Sequence, residues 1–504
     1  MRRAHSKCIP MLALLVVLFL LVGCAALVDS QASISNNVGN PLQGGRGPGS
    51  GGGGSGGSSG AVDPGVRTGT IDAGQPLASV AQTPGASGFF NNGLERFQDI
   101  EVVTSTNPNA NIGLGPRFNS NQCSSCHAQP AVGGTSPSAT VFPRIGMNPE
   151  TLVFDLDGAQ NKLPPFITAD GPVREARFVF FTNPDGSLSS TPDGGVHDLF
   201  VITGRSDAGQ CNIKQPDFER ALDHNNVIFR IPTPLFGAGL IENISDEAII
   251  TNMNENSHAK RQLGVSGHPN RNGNDGTISR FGWKAQNKSL NIFAGEAYNV
   301  EMGVTNDLFP TERPSPDESL MDGLPPSCLL NPTPEDTTNF TSMGPAEPSD
   351  IVEFTNFMRL LAPPTPSATQ PGGAASISRG SQIFNVIGCN LCHTPSLQTM
   401  PSSVTAGLSN VTANLFSDLL VHNMGRNLAD GVSQGTANGD EFRSAPLWGL
   451  GQRIFFLHDG RTTDLIDAIQ QHEGEGSEAN YVIKNFNKLN TQRQQDLLNF
   501  LRSL

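Results

Sequence analysis

Cys123-Ser124-Ser125-Cys126-His127 and Cys389-Asn390-Leu391-Cys392-His393 place the pattern C-x-x-C-H in both halves of a 504-residue chain. Two thiols at that spacing share one turn and can add to both vinyl groups of a haem, with the adjacent imidazole under the iron. A chain carrying such segments has to fold around flat apolar macrocycles. With 8 Cys and 10 His in 504 residues, chance supplies roughly 0.0025 matches. Two covalently bound c-type haems are therefore expected, held by Cys123, Cys126, Cys389 and Cys392, with His127 and His393 on the iron. Zinc sites and plain disulfides are the alternatives.

Composition narrows the rest. Lys+Arg is 32 against 46 for Asp+Glu, a net charge of −14. No basic field exists to bind nucleic acid or an anionic bilayer. Gly (56) and Pro (37) are abundant, so extensive loops are expected. Arg2, Arg3 and Lys7 precede an apolar run, Met11 to Val22, too short to span a bilayer and suited to a signal peptide. Leu21-Val22-Gly23-Cys24 resembles the lipobox of bacterial lipoproteins. Residues 1–23 are read as a signal peptide, with cleavage after Ala32 as the alternative. Residues 24–87 are read as a Gly/Ser-rich tether carrying a lipid on Cys24. This places the protein on the periplasmic side of a bacterial envelope, as an outer-membrane lipoprotein touching membrane through its lipid anchor alone.

Order is expected from about Gly88, with a helix-like piece from Gly93 to Glu101. Strand-like runs at Ala176–Phe181, Leu199–Ile202 and Val227–Ile231 fall in a segment of about 150–245. Helices are expected at Ile244–Asn256 with Ser245 as N-cap, Ser349–Leu361, Ser376–Ile387 and Thr491–Leu504, the last opened by a Thr491/Gln494 capping box. A Pro/Gly-rich stretch at 363–375 reads as a linker between a haem domain at 88–362 and a cytochrome c domain at 376–504. The fold class is mainly α with extensive loops, some β in an insertion, and two cytochrome c-like domains.

Around the second motif the chain reads Leu415-Phe416-Ser417-Asp418, His422-Asn423-Met424-Gly425, Phe442-Arg443-Ser444-Ala445-Pro446-Leu447-Trp448 and Phe456-Leu457-His458-Asp459-Gly460-Arg461. This order resembles the di-haem cytochrome c peroxidase superfamily. Gly113-Leu114-Gly115-Pro116-Arg117-Phe118-Asn119, Pro234-Leu235-Phe236-Gly237 and Arg280-Phe281-Gly282-Trp283-Lys284-Ala285 resemble its di-haem oxidoreductase branch, also called thiol oxidoreductases. The resemblance spans roughly residues 90–504, with 150–240 outside the peroxidase motifs.

The resemblance implies a peroxidase. Electrons would come from a small donor protein or a quinol-linked cytochrome, enter at the C-terminal haem, pass Trp283, and reduce hydrogen peroxide at an open N-terminal haem. An oxidase or oxygenase using O₂ on an organic or protein substrate, and a plain di-haem electron carrier, are the alternatives. A calcium ion between the domains follows from analogy alone. Fourteen residues after His458, where the family places methionine or tyrosine, stands His472. It is the expected second ligand of the C-terminal haem, with Met424 as rival. No histidine or methionine follows His127 before Met147, which suggests a five-coordinate iron; Met147, His197 and His224 are the residues that could still close it. Asn299-Val300-Glu301-Met302-Gly303 resembles the segment carrying the family's catalytic glutamate, making Glu301 the acid–base candidate. Trp283 resembles the family's tryptophan between the haems, although Trp-Lys-Ala-Gln replaces Trp-Asp-Gly-Arg; Trp448 is the rival bridge. Cys211 and Cys328 remain once lipid and haem cysteines are set aside, and pair as a disulfide or stay as two buried thiols.

Overall fold

A computed structural model describes residues 60–67, 72–83, 85–136, 147–153, 158–183, 185–313, 324–338, 348–401 and 405–504. The expected signal peptide at 1–23, the expected lipidation site Cys24 and the Gly/Ser segment before Gly60 lie outside the described residues. Each C-x-x-C-H motif sits beside a pair of crossed helices. In the first half Ala86–Phe97 packs on Asp350–Leu360. Phe97 meets Phe354 and Phe357 at ring distances of 6.0 and 4.9 Å. The crossing is close because Gly93 has no Cβ; one would lie 2.4 Å from the Glu353 carbonyl oxygen. In the second half Ala374–Ile387 packs on Thr491–Ser503. There a Cβ on Gly380 would lie 2.0 Å from the Asp496 carbonyl oxygen. One local rule, a glycine at a helix crossing, thus builds both frames.

The β content is local. Glu175–Phe178 pairs antiparallel with Val196–His197 on one side and Val227–Arg230 on the other. The run expected as one strand to Phe181 divides at Val179; Phe180–Thr182 pairs instead with Leu188–Pro192. Asn226 secures the break, its side chain bonding both the N–H and the carbonyl of Phe180 at 2.8 Å. The Leu199–Ile202 run shortens to Phe200–Val201, paired with Arg117–Phe118.

Helix ends differ from expectation where a neighbouring residue caps better. Ser245 caps Asp246–Asn254, its Oγ accepting from Ala248 N at 3.1 Å. The last helix is capped by Asn490, which accepts from Arg493 N at 3.0 Å, so Thr491 is its first turn rather than its cap. The piece expected at Gly93–Glu101 is a helix at Ala86–Phe97, and Glu101–Val102 is a short strand beside Asn111–Ile112.

Structure also begins earlier than Gly88. Asp63 pairs with the buried Arg502 at 2.6 and 2.8 Å. Ala73 and Val80 are core residues. A buried guanidinium needs a counter-ion, and Asp63 supplies it from what reads as tether. Segment 363–375 is pinned as well: Ser367 N donates to the Ser503 carbonyl at 2.7 Å and Thr365 Oγ1 to Asp72 at 2.5 Å. The described residues from Gly60 to Leu504 pack as one unit, with helices, short strands and long loops.

Cys211 and Cys328 form a disulfide across 117 residues of sequence. In the chain-entropy account a loop of that length contributes about 5 kcal/mol. Changing both to Ser should move the chemical-unfolding midpoint clearly downward. An unmoved midpoint would mean the crosslink adds nothing to stability.

Candidate functional site

Two cavities hold the two motifs. The first, with ≈ 160 Å³ open to the centre of a water molecule, is lined by Cys123, Cys126 and His127. The second, with ≈ 220 Å³, is lined by Cys389, Cys392 and His393. None of the four cysteines is in a disulfide. Cys123–Cys126 is a single helical turn, which sets its thiols on one side of the chain. His127 Nδ1 lies 3.0 Å from the Gly134 carbonyl oxygen and His393 Nδ1 3.0 Å from that of Phe416. With Nδ1 so held, Nε2 is the nitrogen free to bind a metal. Burial pushes both imidazoles down to about 4, so they are neutral, as ligands must be. Two free thiols, an oriented neutral imidazole and an apolar wall fit a haem in each cavity.

His472 and Met424 both line the second cavity. His472 ends the turn after Leu465–Gln470, a helix capped by Asp464. Its Nδ1 lies 2.8 Å from the Ala468 carbonyl oxygen, the same anchoring seen at His127 and His393. His472 is also close enough to His393 to help depress its pKa. On the same wall the His422 ring sits between Asp418 (3.0 Å) and Glu478 (2.9 Å), 3.6 Å from Cys392 Sγ.

Glu301 lines the first cavity, near the C-terminal end of the helix Leu290–Met302. Phe293, Ala294 and Ala297 of that helix share the lining; Val300 does not. Asn119, the last residue of the Gly113–Asn119 run, positions Glu301: its Nδ2 donates to Oε2 at 2.8 Å and its backbone N to the Glu301 carbonyl at 2.7 Å. Burial, then the neighbouring Glu175, raise the Glu301 carboxyl to about 8. Glu175 comes from the β segment and is paired with Arg177. Glu150, also in the lining, is raised to about 8 by burial.

Met147, His197 and His224 are absent from this lining. Met147 is 50% exposed, and His224 is exposed. His197 is buried but bound to Asp193 at 2.9 Å and stacked on Phe178. His127 is thus the single histidine lining the cavity among the described residues. Its methionines are Met302, whose Sδ lies 3.6 Å from Cys123 Sγ, and Met358.

Trp283 lines both haem cavities and the small one of ≈ 30 Å³ between them. Its Nε1 donates to the Ile231 carbonyl at 2.8 Å, which fixes the indole. The neighbouring Lys284 stands where the pattern it resembles has aspartate. Its ammonium is buried, bonded to the carbonyls of Asn438 (2.7 Å) and Glu441 (2.8 Å) and 3.2 Å from Asp430. It ties the Trp283 turn to the C-terminal half. Trp448 lines only the small cavity.

Sequence reasoning passed over Glu175, Arg177 and Glu150. Nothing local marks them; Glu175 and Arg177 face the cavity because of strand pairing made far along the chain. Asn119 stood inside a quoted motif without a role. Among the described residues no group of three or more His, Cys, Asp or Glu is arranged to hold a metal ion, and no helix is long and apolar enough to cross a membrane.

The family model described as "Di-haem oxidoreductase, putative peroxidase" matches residues 179–504. The match covers well over half the chain, and the protein belongs to this di-haem oxidoreductase family. The second C-x-x-C-H, His472, Glu301 and Trp283 lie inside the matched segment; the first C-x-x-C-H precedes it. Among curated proteins none matches. A solved structure of hydrazine synthase from Kuenenia stuttgartiensis, pressurised with 20 bar xenon, aligns at 18% identity with a TM-score of 0.23. The alignment spans 43% of this chain and 62% of that one, under two thirds of its length.

Proposed function

We propose that the protein is an exported peroxidase. It takes two electrons from a small donor protein or a quinol-linked cytochrome and, with two protons, converts one hydrogen peroxide to two waters. The observation that carries this reading is Glu301, a buried carboxyl facing Cys123, Cys126 and His127 in a cavity with no second histidine among the described residues. Cys123/Cys126 and Cys389/Cys392 would hold the two haems through thioether bonds, with His127, His393 and His472 as the side chains that would bind iron. When bound, the haems supply the redox equivalents and the site where peroxide is reduced.

The chain handles protons and path. Glu301 takes a proton from one peroxide oxygen and returns it to the other, which leaves as water. Asn119 holds Glu301 at that position, and burial, with Glu175 beside it, raises its proton affinity. Trp283, walling both cavities, is the side chain through which electrons cross. A lipid on Cys24 would keep this head on the periplasmic side of the envelope.

EPR of the ferric protein tests the reading. A high-spin signal beside a low-spin one is expected. Two low-spin signals would make the protein an electron carrier, with Met302 or Met358 closing the first site. His472→Gly should convert the low-spin signal to high-spin and leave the other haem unchanged. A low-spin signal that survives this change but is lost in Met424→Ala would transfer the ligand role to Met424.

A further inference from the structure

Two arginines on the wall of the second cavity lack an acidic partner. Two fully buried arginines, by contrast, are neutralised, Arg230 by Asp430 at 2.7 Å and Arg502 by Asp63 at 2.6 Å, whereas the two on this wall are half-buried. Arg443 and Arg453 are not neutralised in this way. Arg443 Nε donates to the Gly282 carbonyl at 3.0 Å and Arg453 Nε to the Phe455 carbonyl at 3.0 Å. Neither makes an ion pair among the described residues, and Arg453 Nη2 is buried with no hydrogen-bond partner. Burial lowers both guanidiniums to about 10, which still leaves them charged at neutral pH. An uncompensated buried charge is strongly destabilising, so such groups are retained where a counter-charge arrives.

The counter-charge must come from what fills the cavity. Both arginines line the second cavity and the small one beside it. The single protein carboxylate in the second cavity's wall, Glu478, is committed to His422 and Ser266. Both arginines also abut Trp283: the Arg453 guanidinium lies 5.8 Å from the indole centroid, and Arg443 N donates to the Trp283 carbonyl at 2.8 Å. A haem carries two carboxylates on one edge, and a guanidinium binds a carboxylate with a two-pronged fit.

We propose that Arg443 and Arg453 bind the two carboxylates of the haem attached at Cys389 and Cys392, turning that edge toward Trp283. This rests on the covalent di-haem reading. The arginines then serve two ends: they neutralise the edge, and they orient it at the junction where the two cavities meet. Their positive charge would offset the stabilisation that bare carboxylates give the ferric state, and so hold the reduction potential up.

The test is spectroelectrochemistry of the full chain, with Arg443→Gln, Arg453→Gln and the matching Lys variants, joined to infrared spectra of ¹³C-carboxylate-labelled haem. The Gln variants should lower the potential of the low-spin haem and leave the other nearly unmoved. Their labelled carboxylate bands should shift, and the Lys variants should restore the potential while leaving the bands displaced. An unchanged potential and unchanged bands, with two haems still bound, would overturn the proposal. If the Gln variants lose haem, the Lys variants decide through the bands alone. Parent protein without covalent haem would instead fail the underlying reading, and a haem-stained denaturing gel separates the two failures.

Discussion

Replacing Cys126 and Cys392 together with Ala should leave a chain with no haem colour on a denaturing gel. Each motif then has one thiol and an imidazole, and the paired thioether link that resists denaturation is lost on both sides. The single variants should each keep a stained band from the untouched motif. Folding should suffer as well. The cavities measure ≈ 160 and ≈ 220 Å³. Without haem the apolar walls of both cavities lose the surface they would pack against, so the haem-free chain should also unfold at lower denaturant. Full colour in the double variant would refute covalent attachment at these motifs.

How much of this was legible beforehand depends on the range of the interaction that fixes each feature. Helices with a strong apolar face were legible, because Ile351, Phe354, Phe357 and Met358 repeat at helical spacing and all are buried. The Ser245 cap was legible for the same reason: its partner is three residues away. Contacts that close long loops were not. Asp63 reads as tether until Arg502, 439 residues later, gives it a partner. Glu175 reads as a strand residue until the packing of Val227–Arg230 and Val196–His197 turns it toward Glu301. The haem motifs announce themselves because their chemistry lies within five consecutive residues. The rest of each cavity is assembled from positions across the chain, and no local pattern marks Arg443 or Arg453 as lacking an acid.

Glu301→Gln should slow the reaction with peroxide by about 10²–10⁴-fold while both haems stay bound. The amide keeps the shape and the bond to Asn119, but it cannot accept a proton. The pH profile gives a sharper test. Burial and Glu175 raise the Glu301 carboxyl to about 8. Proton abstraction needs the carboxylate, so the parent rate should climb from pH 6 and level off above 8. In Glu301→Gln that rise should vanish. Glu175→Gln removes the like-charged neighbour, so the rise should move to lower pH with the plateau rate largely kept. Stability should follow the opposite sign. The folded chain binds this proton more tightly than the unfolded one, so Glu301's contribution is present below about 4.5 and is lost as pH rises through 8. Stopped-flow mixing with peroxide across that range decides the matter. A Gln variant within about threefold of the parent, with the same pH profile, would leave Glu301 a structural residue and pass the proton role to Glu150, the other raised carboxyl in the lining.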